Sequence, residues 1–282
     1  MRITFISPLD NEFWYLLRQG VIYAKRELSG KNVFIHHVEI KEDVGPQIEN
    51  AMKQAIENDV SGIIVPGFNP DIADLIEAAY QKNIPVMIYN YNLPMKSKSV
   101  AYCGPEIDAT NVIAIRLLVK AIRGKGEVAL VSGEKYKLIN TSGRKNALSE
   151  FKKYRGIKIV GDFQCSDDID LSYSTTKDLL RQKPNTRGIL VNGIGVLGVA
   201  KAIEELGFRG KVSVVCFSFN QEIAEYIKKG IIYAVLTHDP FSQGHDPIIH
   251  FYNILATGEK SENENIWTRF GVIDKYNVED LV

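Results

Sequence analysis

Where the apolar runs of this chain end, flat rings stand beside amides, hydroxyls and a guanidinium. SPLDNEFWYLL sets Ser7 and Asn11 just ahead of Phe13 and Trp14, and IPVMIYNYN delivers Asn90 and Tyr91. Asn140 lies upstream of Arg144 in SGRKNAL, Asn192 ends RGILVN, Ser218 ends VSVVCFS, and His238 ends IIYAVLTH. Sugars ask for that mixture. Their C–H faces stack on aromatic rings, and their hydroxyls need paired donors and acceptors once water is removed. A hydrogen bond to a charged group such as Arg144 contributes about 1.5–3 kcal/mol. Each residue also has a plainer reading: Phe13 as core, Asn192 as a helix cap, His238 as a satisfied strand-end histidine, Arg144 as a surface residue. Trp14 follows a core-facing position and is expected to point elsewhere.

A second pattern competes with this one. Gly193, Gly195 and Gly198 spell G-x-G-x-x-G, the fingerprint of dinucleotide-binding turns. Such a turn belongs in the first βαβ unit, with an acidic residue ending the following strand. Here it comes late, and the next strand ends in Ser218 and Asn220. The glycines read better as packing positions, and an NAD(P)-dependent enzyme is a remote alternative. No P-loop, H-E-x-x-H or G-x-S-x-G occurs. Asp167, Asp168 and Asp170 read as a solvated loop in which one carboxylate caps the next helix, with a calcium site the lesser alternative. No catalytic residue, metal ligand set or cofactor is expected.

The elements that must carry these residues alternate with few breaks. About ten continuous apolar strands, from RITFIS to IIYAVLTH, are separated by amphipathic helices. One face of such a helix carries Phe13, Leu17, Val21, Ala24 and Leu28, and another Val196, Val199, Ala200 and Ile203. Strands apolar throughout belong to parallel sheets covered on both faces. The fold class is therefore α/β, and ten strands divide better into two Rossmann-like lobes than into one sheet. Ligand is then expected at the carboxyl ends of the strands, in a cleft between lobes.

In this order and spacing, ITFISPLDNEFWYLLRQGVIYA, SGIIVPGFNPD, IPVMIYN, TSGRKNAL, RGILVNGIGVLGVAKAI, VSVVCFS and AVLTHDPFSQG resemble a known family. It is that of the type 1 periplasmic sugar-binding proteins, ribose-binding-protein-like, and the effector-binding cores of LacI-type regulators. The resemblance implies two lobes joined by a three-strand hinge that closes on ligand. The boundaries implied are 1–104 plus 239–267 for the N-terminal lobe and 105–238 plus 268–282 for the C-terminal lobe. It places Ser7, Asn11, Phe13, Trp14, Asn90 and Tyr91 on one side of the ligand, and Asn140, Arg144, Asn192, Ser218 and His238 on the other. The chain departs from the ribose-type pattern at Asn90-Tyr91, Gly193, Ser218 and His238, where fewer carboxylates face the ligand. A sugar or polyol other than ribose is expected.

The family offers two kinds of member. Lys+Arg and Asp+Glu are 34 each, for zero formal charge, and the three cysteines form no metal-ligand spacing. Free thiols fit a reducing compartment, and no signal peptide precedes the first strand. On these grounds a cytoplasmic LacI-type effector-binding core stands first. It would be a homodimer, touching DNA only through a helix-turn-helix not present in this chain. The alternative is a periplasmic or extracellular solute-binding protein or sensor, its signal peptide removed, with a membrane permease or sensor as partner.

Overall fold

The computed structural model describes residues 1–9, 12–67, 69, 71–93, 101–133, 145–166, 168–217, 219–258 and 265–281. They form two compact units, residues 1–106 with 239–269 and residues 107–238 with 270–282. The chain therefore passes between units three times, after Glu106, His238 and Arg269.

The first unit opens with β1 (Arg2–Pro8), α1 (Glu12–Glu27), β2 (Phe34–Ile40), α2 (Val44–Glu57), β3 (Gly62–Pro66), α3 (Ile72–Gln81), β4 (Val86–Tyr89) and β5 (Ala101–Gly104). Its sheet has the order β11-β5-β4-β3-β1-β2, all parallel, once β11 (Asn265–Trp267) returns beside β5. Every residue of β3, β4 and β5 is buried, as a strand covered on both faces requires. α9 (Pro240–Thr257) packs on α1 backbone to backbone. A Cβ on Gly20 would lie 2.1 Å from the Phe241 carbonyl, and one on Gly244 2.0 Å from the Leu17 carbonyl.

The second unit runs α4 (Ile107–Ala121), β6 (Gly126–Ser132), α5 (residues 145–151), β7 (Ile157–Gln164), α6 (Ile169–Gln182), β8 (Thr186–Asn192), α7 (Val196–Glu205), β9 (Ser213–Cys216), α8 (Gln221–Lys228) and β10 (Ile232–His238). β12 (Phe270–Asp274) joins its sheet beside β10, in the order β12-β10-β9-β8-β6-β7. β12 alone runs antiparallel there. Alternate residues of β6 feed two cores, one on each face. Val128 and Leu130 pack with α4 and Phe151, while Ala129 and Val131 pack with α6, α7 and α8.

Twelve strands thus stand among the described residues where about ten apolar runs are readable. The additional two, β11 and β12, are mostly half-buried or exposed and lack the apolar signature of buried strands. No helix among the described residues is long and apolar enough to cross a membrane.

Candidate functional site

The carboxyl end of β1 leads directly into the first turn of α1, where Phe13 and Trp14 sit. Phe13 is half-buried, whereas Trp14 is 7% exposed. The two rings meet edge to face at 5.0 Å, and Trp14 meets Tyr89 of β4 at 6.4 Å. Tyr89 in turn packs on Phe5 at 4.9 Å and donates its hydroxyl to the Ile6 carbonyl. Trp14 is therefore wedged against the core and Phe13 is the more accessible ring, the reverse of the sequence expectation. Ser7 is fully buried, and its Oγ shares a 2.8 Å hydrogen bond with His37 Nε2. Burial pushes the His37 imidazole down to about 3, helped by the nearby Lys25 and Arg18 cations. The Glu39 carboxylate lies 3.4 Å from His37 Nδ1 and is itself paired with Arg18 at 2.6 Å.

Asn90 follows β4 and has a left-handed backbone, φ +67°, which asparagine tolerates better than most residues. Its N–H donates to the Cys103 carbonyl, and its own carbonyl accepts from the Tyr102 hydroxyl. The side-chain Nδ2 donates to Gln243 Oε1 at 2.6 Å. Asn90 Oδ1 is buried and has no hydrogen-bond partner among the described residues. Tyr91, next along, is half-buried, and its carbonyl closes against Gly67, where a Cβ would lie 1.9 Å from it. Gln243 is completely buried. Gln243 lies within AVLTHDPFSQG, but no spacing links it to Asn90, which it meets across 153 residues of chain.

In the second unit, Asn192 is the last residue of β8, half-buried, and its carbonyl accepts from Gly133 N–H at 2.8 Å. Gly195, not Asn192, occupies the N-cap of α7, so the capping reading of Asn192 does not hold. His238 ends β10, and burial lowers its imidazole to about 4, leaving it neutral at physiological pH. Its ring lies 5.9 Å from that of Phe217, which follows β9. Asn11, Asn140, Arg144 and Ser218 lie outside the described residues.

The glycine motif has another occupant. A Cβ on Gly195 would lie 2.1 Å from Ser172 Oγ, and one on Gly198 2.1 Å from the Ile169 carbonyl. Both glycines admit α6 against α7, a helix-to-helix contact where packing on the sheet was expected, and no pyrophosphate could share that space. Gly193 has φ +119°, a conformation that an aspartate could adopt only under strain. In the acidic stretch that follows Cys165, Asp168 caps α6 by accepting from Leu171 N–H at 2.9 Å. No group of three or more His, Cys, Asp or Glu side chains among the described residues could hold a metal ion.

Residues 3–260 match the family model described as the periplasmic binding protein domain. The chain belongs to this family. Its architecture is the type 1 periplasmic binding protein fold, two α/β units with largely parallel sheets. GanP, a glucose-galactose binding protein from Geobacillus stearothermophilus, superposes with a TM-score of 0.88 at 23% identity, covering 98% of each chain. An ABC transporter periplasmic solute binding protein from Actinobacillus succinogenes, with bound D-allose, gives 0.85 at 24% identity over 99% of each. In sequence, the D-allose-binding periplasmic protein of Escherichia coli (strain K12) is 23% identical over 249 residues, 85% of this chain and 79% of that protein.

These relatives of the periplasmic binding protein are described as periplasmic or as sugar binders, and they favour the second reading of the sequence over the regulator core. The thiol argument that put the cytoplasm first fails on structural grounds. Cys103, Cys165 and Cys216 are each at most 1% exposed, and burial raises the Cys103 thiol well above the ordinary range. Thiols so enclosed pack as small hydrophobic groups and carry no information about compartment.

Proposed function

We propose that this periplasmic binding protein is the exported solute-binding component of a carbohydrate or polyol uptake system, handing its sugar to a membrane permease. The observation that carries this is the set at the carboxyl end of the first unit's sheet. Half-buried Phe13 and Tyr91 offer ring faces, and the buried Asn90 offers an amide with unmet hydrogen-bonding capacity. That combination suits a neutral polyhydroxylated ring. In the second unit, Asn192 and the neutral His238 add uncharged polar groups at strand ends. Asn11, Asn140, Arg144 and Ser218 belong to the same proposal by sequence position. The relatives bind D-allose, glucose and galactose, and the proposal draws its first candidates from them. Its role is binding and presentation, with no bond made or broken.

A thermal-shift screen tests it with D-allose, D-glucose, D-galactose, D-arabinose, D-tagatose and myo-inositol. A sugar at one hundred times its Kd should stabilise the protein by about 2.7 kcal/mol, a shift of several degrees. A flat response to the whole panel would overturn the reading.

A further inference from the structure

Asn90 is held at both backbone positions and through its side-chain Nδ2. Its N–H goes to Cys103 at 3.2 Å, its carbonyl receives Tyr102 Oη at 3.0 Å, and its Nδ2 goes to Gln243 Oε1 at 2.6 Å. The residue is 4% exposed and Gln243 not at all, so water does not compete for this pair. Packing leaves no slack either: a Cβ on Gly104 would lie 3.1 Å from Asn90 N. With Nδ2 anchored on Gln243 the amide plane is fixed, and Oδ1 is held on the opposite side. That oxygen, Oδ1, is the atom left without a partner among the described residues. A buried acceptor left unmet is unfavourable, and a hydrogen-bond donor relieves it.

We propose that Gln243 is a positioning residue: it locks the Asn90 amide so that Oδ1 faces the sugar as an acceptor and selects a hydroxyl that donates. This rests on the carbohydrate-binding reading above. It adds which polarity the site demands at this point and which residue sets it. A group that can only accept, such as fluorine or a carbonyl oxygen, is rejected there.

Isothermal titration of wild type with D-allose, D-glucose and D-galactose, and with the monodeoxyfluoro derivatives of each, reads this directly. At one ring position, fluorine for hydroxyl should weaken wild type at least about tenfold. In Gln243→Met the freed amide can turn its NH2 toward the fluorine, and the penalty at that position should shrink to about twofold. Gln243→Glu still accepts from Nδ2 and should keep the wild-type penalty. Penalties that are the same at every position in wild type and Gln243→Met would overturn the proposal. So would a wild type indifferent to fluorine at every position, a result that needs no variant to fold. If none of the three parent sugars binds wild type, the carbohydrate reading falls and this falls with it. If they bind and the fluorine profile fails, only this proposal falls.

Discussion

At Phe13 and Trp14, two rings 5.0 Å apart meet different surroundings, and the difference separates stability from affinity. Trp14 is enclosed by Tyr89 and the core beneath α1, so truncating it leaves a large cavity. Trp14→Ala should cost about 3–5 kcal/mol of unfolding free energy, measured by urea denaturation. Phe13→Ala removes a half-buried ring and should cost under about 1.5 kcal/mol, while weakening sugar binding about tenfold in titration calorimetry. The reverse result, with affinity lost only at Trp14, would restore Trp14 as the stacking ring. The sequence could not choose between them. Positions 13, 17, 21, 24, 28 and positions 14, 17, 21, 24, 28 both follow helical spacing, and both alternatives start on an aromatic. Ser7 shows the same limit: its partner His37 belongs to a neighbouring strand 30 residues on.

Element by element, legibility followed burial. α7 reads correctly because Val196, Val199, Ala200 and Ile203 are all fully buried and nothing polar interrupts the stripe. β11 and β12 do not stand out as apolar runs, because edge strands need none; only the three-strand hinge that the resemblance implies pointed to this stretch. The glycine pattern in the turn into α7 was legible as structural, but the surface it meets was not, since α6 lies across β8 in sequence. Its role makes a definite prediction. Gly198→Ala places a methyl 2.1 Å from the Ile169 carbonyl and 2.8 Å from Tyr173 N, both backbone atoms that cannot turn aside. α7 must back away from α6, at about 1–3 kcal/mol, seen as a lower urea midpoint. The folded variant should keep its sugar affinity. An unchanged midpoint would mean that α6 and α7 are not in this contact.

Over the whole molecule, each compact unit carries one histidine held neutral by burial, and together they set how the protein meets acid. His37 lies in the first unit, with its imidazole lowered to about 3, and His238 in the second, lowered to about 4. Unfolding returns each to about 6.5. Below that pH the unfolded chain binds protons that the folded chain refuses, so stability falls as pH falls. Each histidine loses about 1.4 kcal/mol per pH unit, or about 2–3 kcal/mol between pH 6.5 and 4.5. His245 acts in the opposite sense. Burial alone would lower it, but hydrogen bonds with Asp246 and Glu27 outweigh that and raise it. Its contribution is complete below about 6.5 and is lost as pH rises through its folded value, so it cannot rescue the protein in acid. Urea midpoints should therefore decline steeply from pH 6.5 to 4.5. His238→Gln, uncharged at every pH, should flatten the second unit's share of that slope, and His37→Gln the first's. Slopes that survive both substitutions would place the acid sensitivity elsewhere, in carboxylates whose ion pairs break at lower pH.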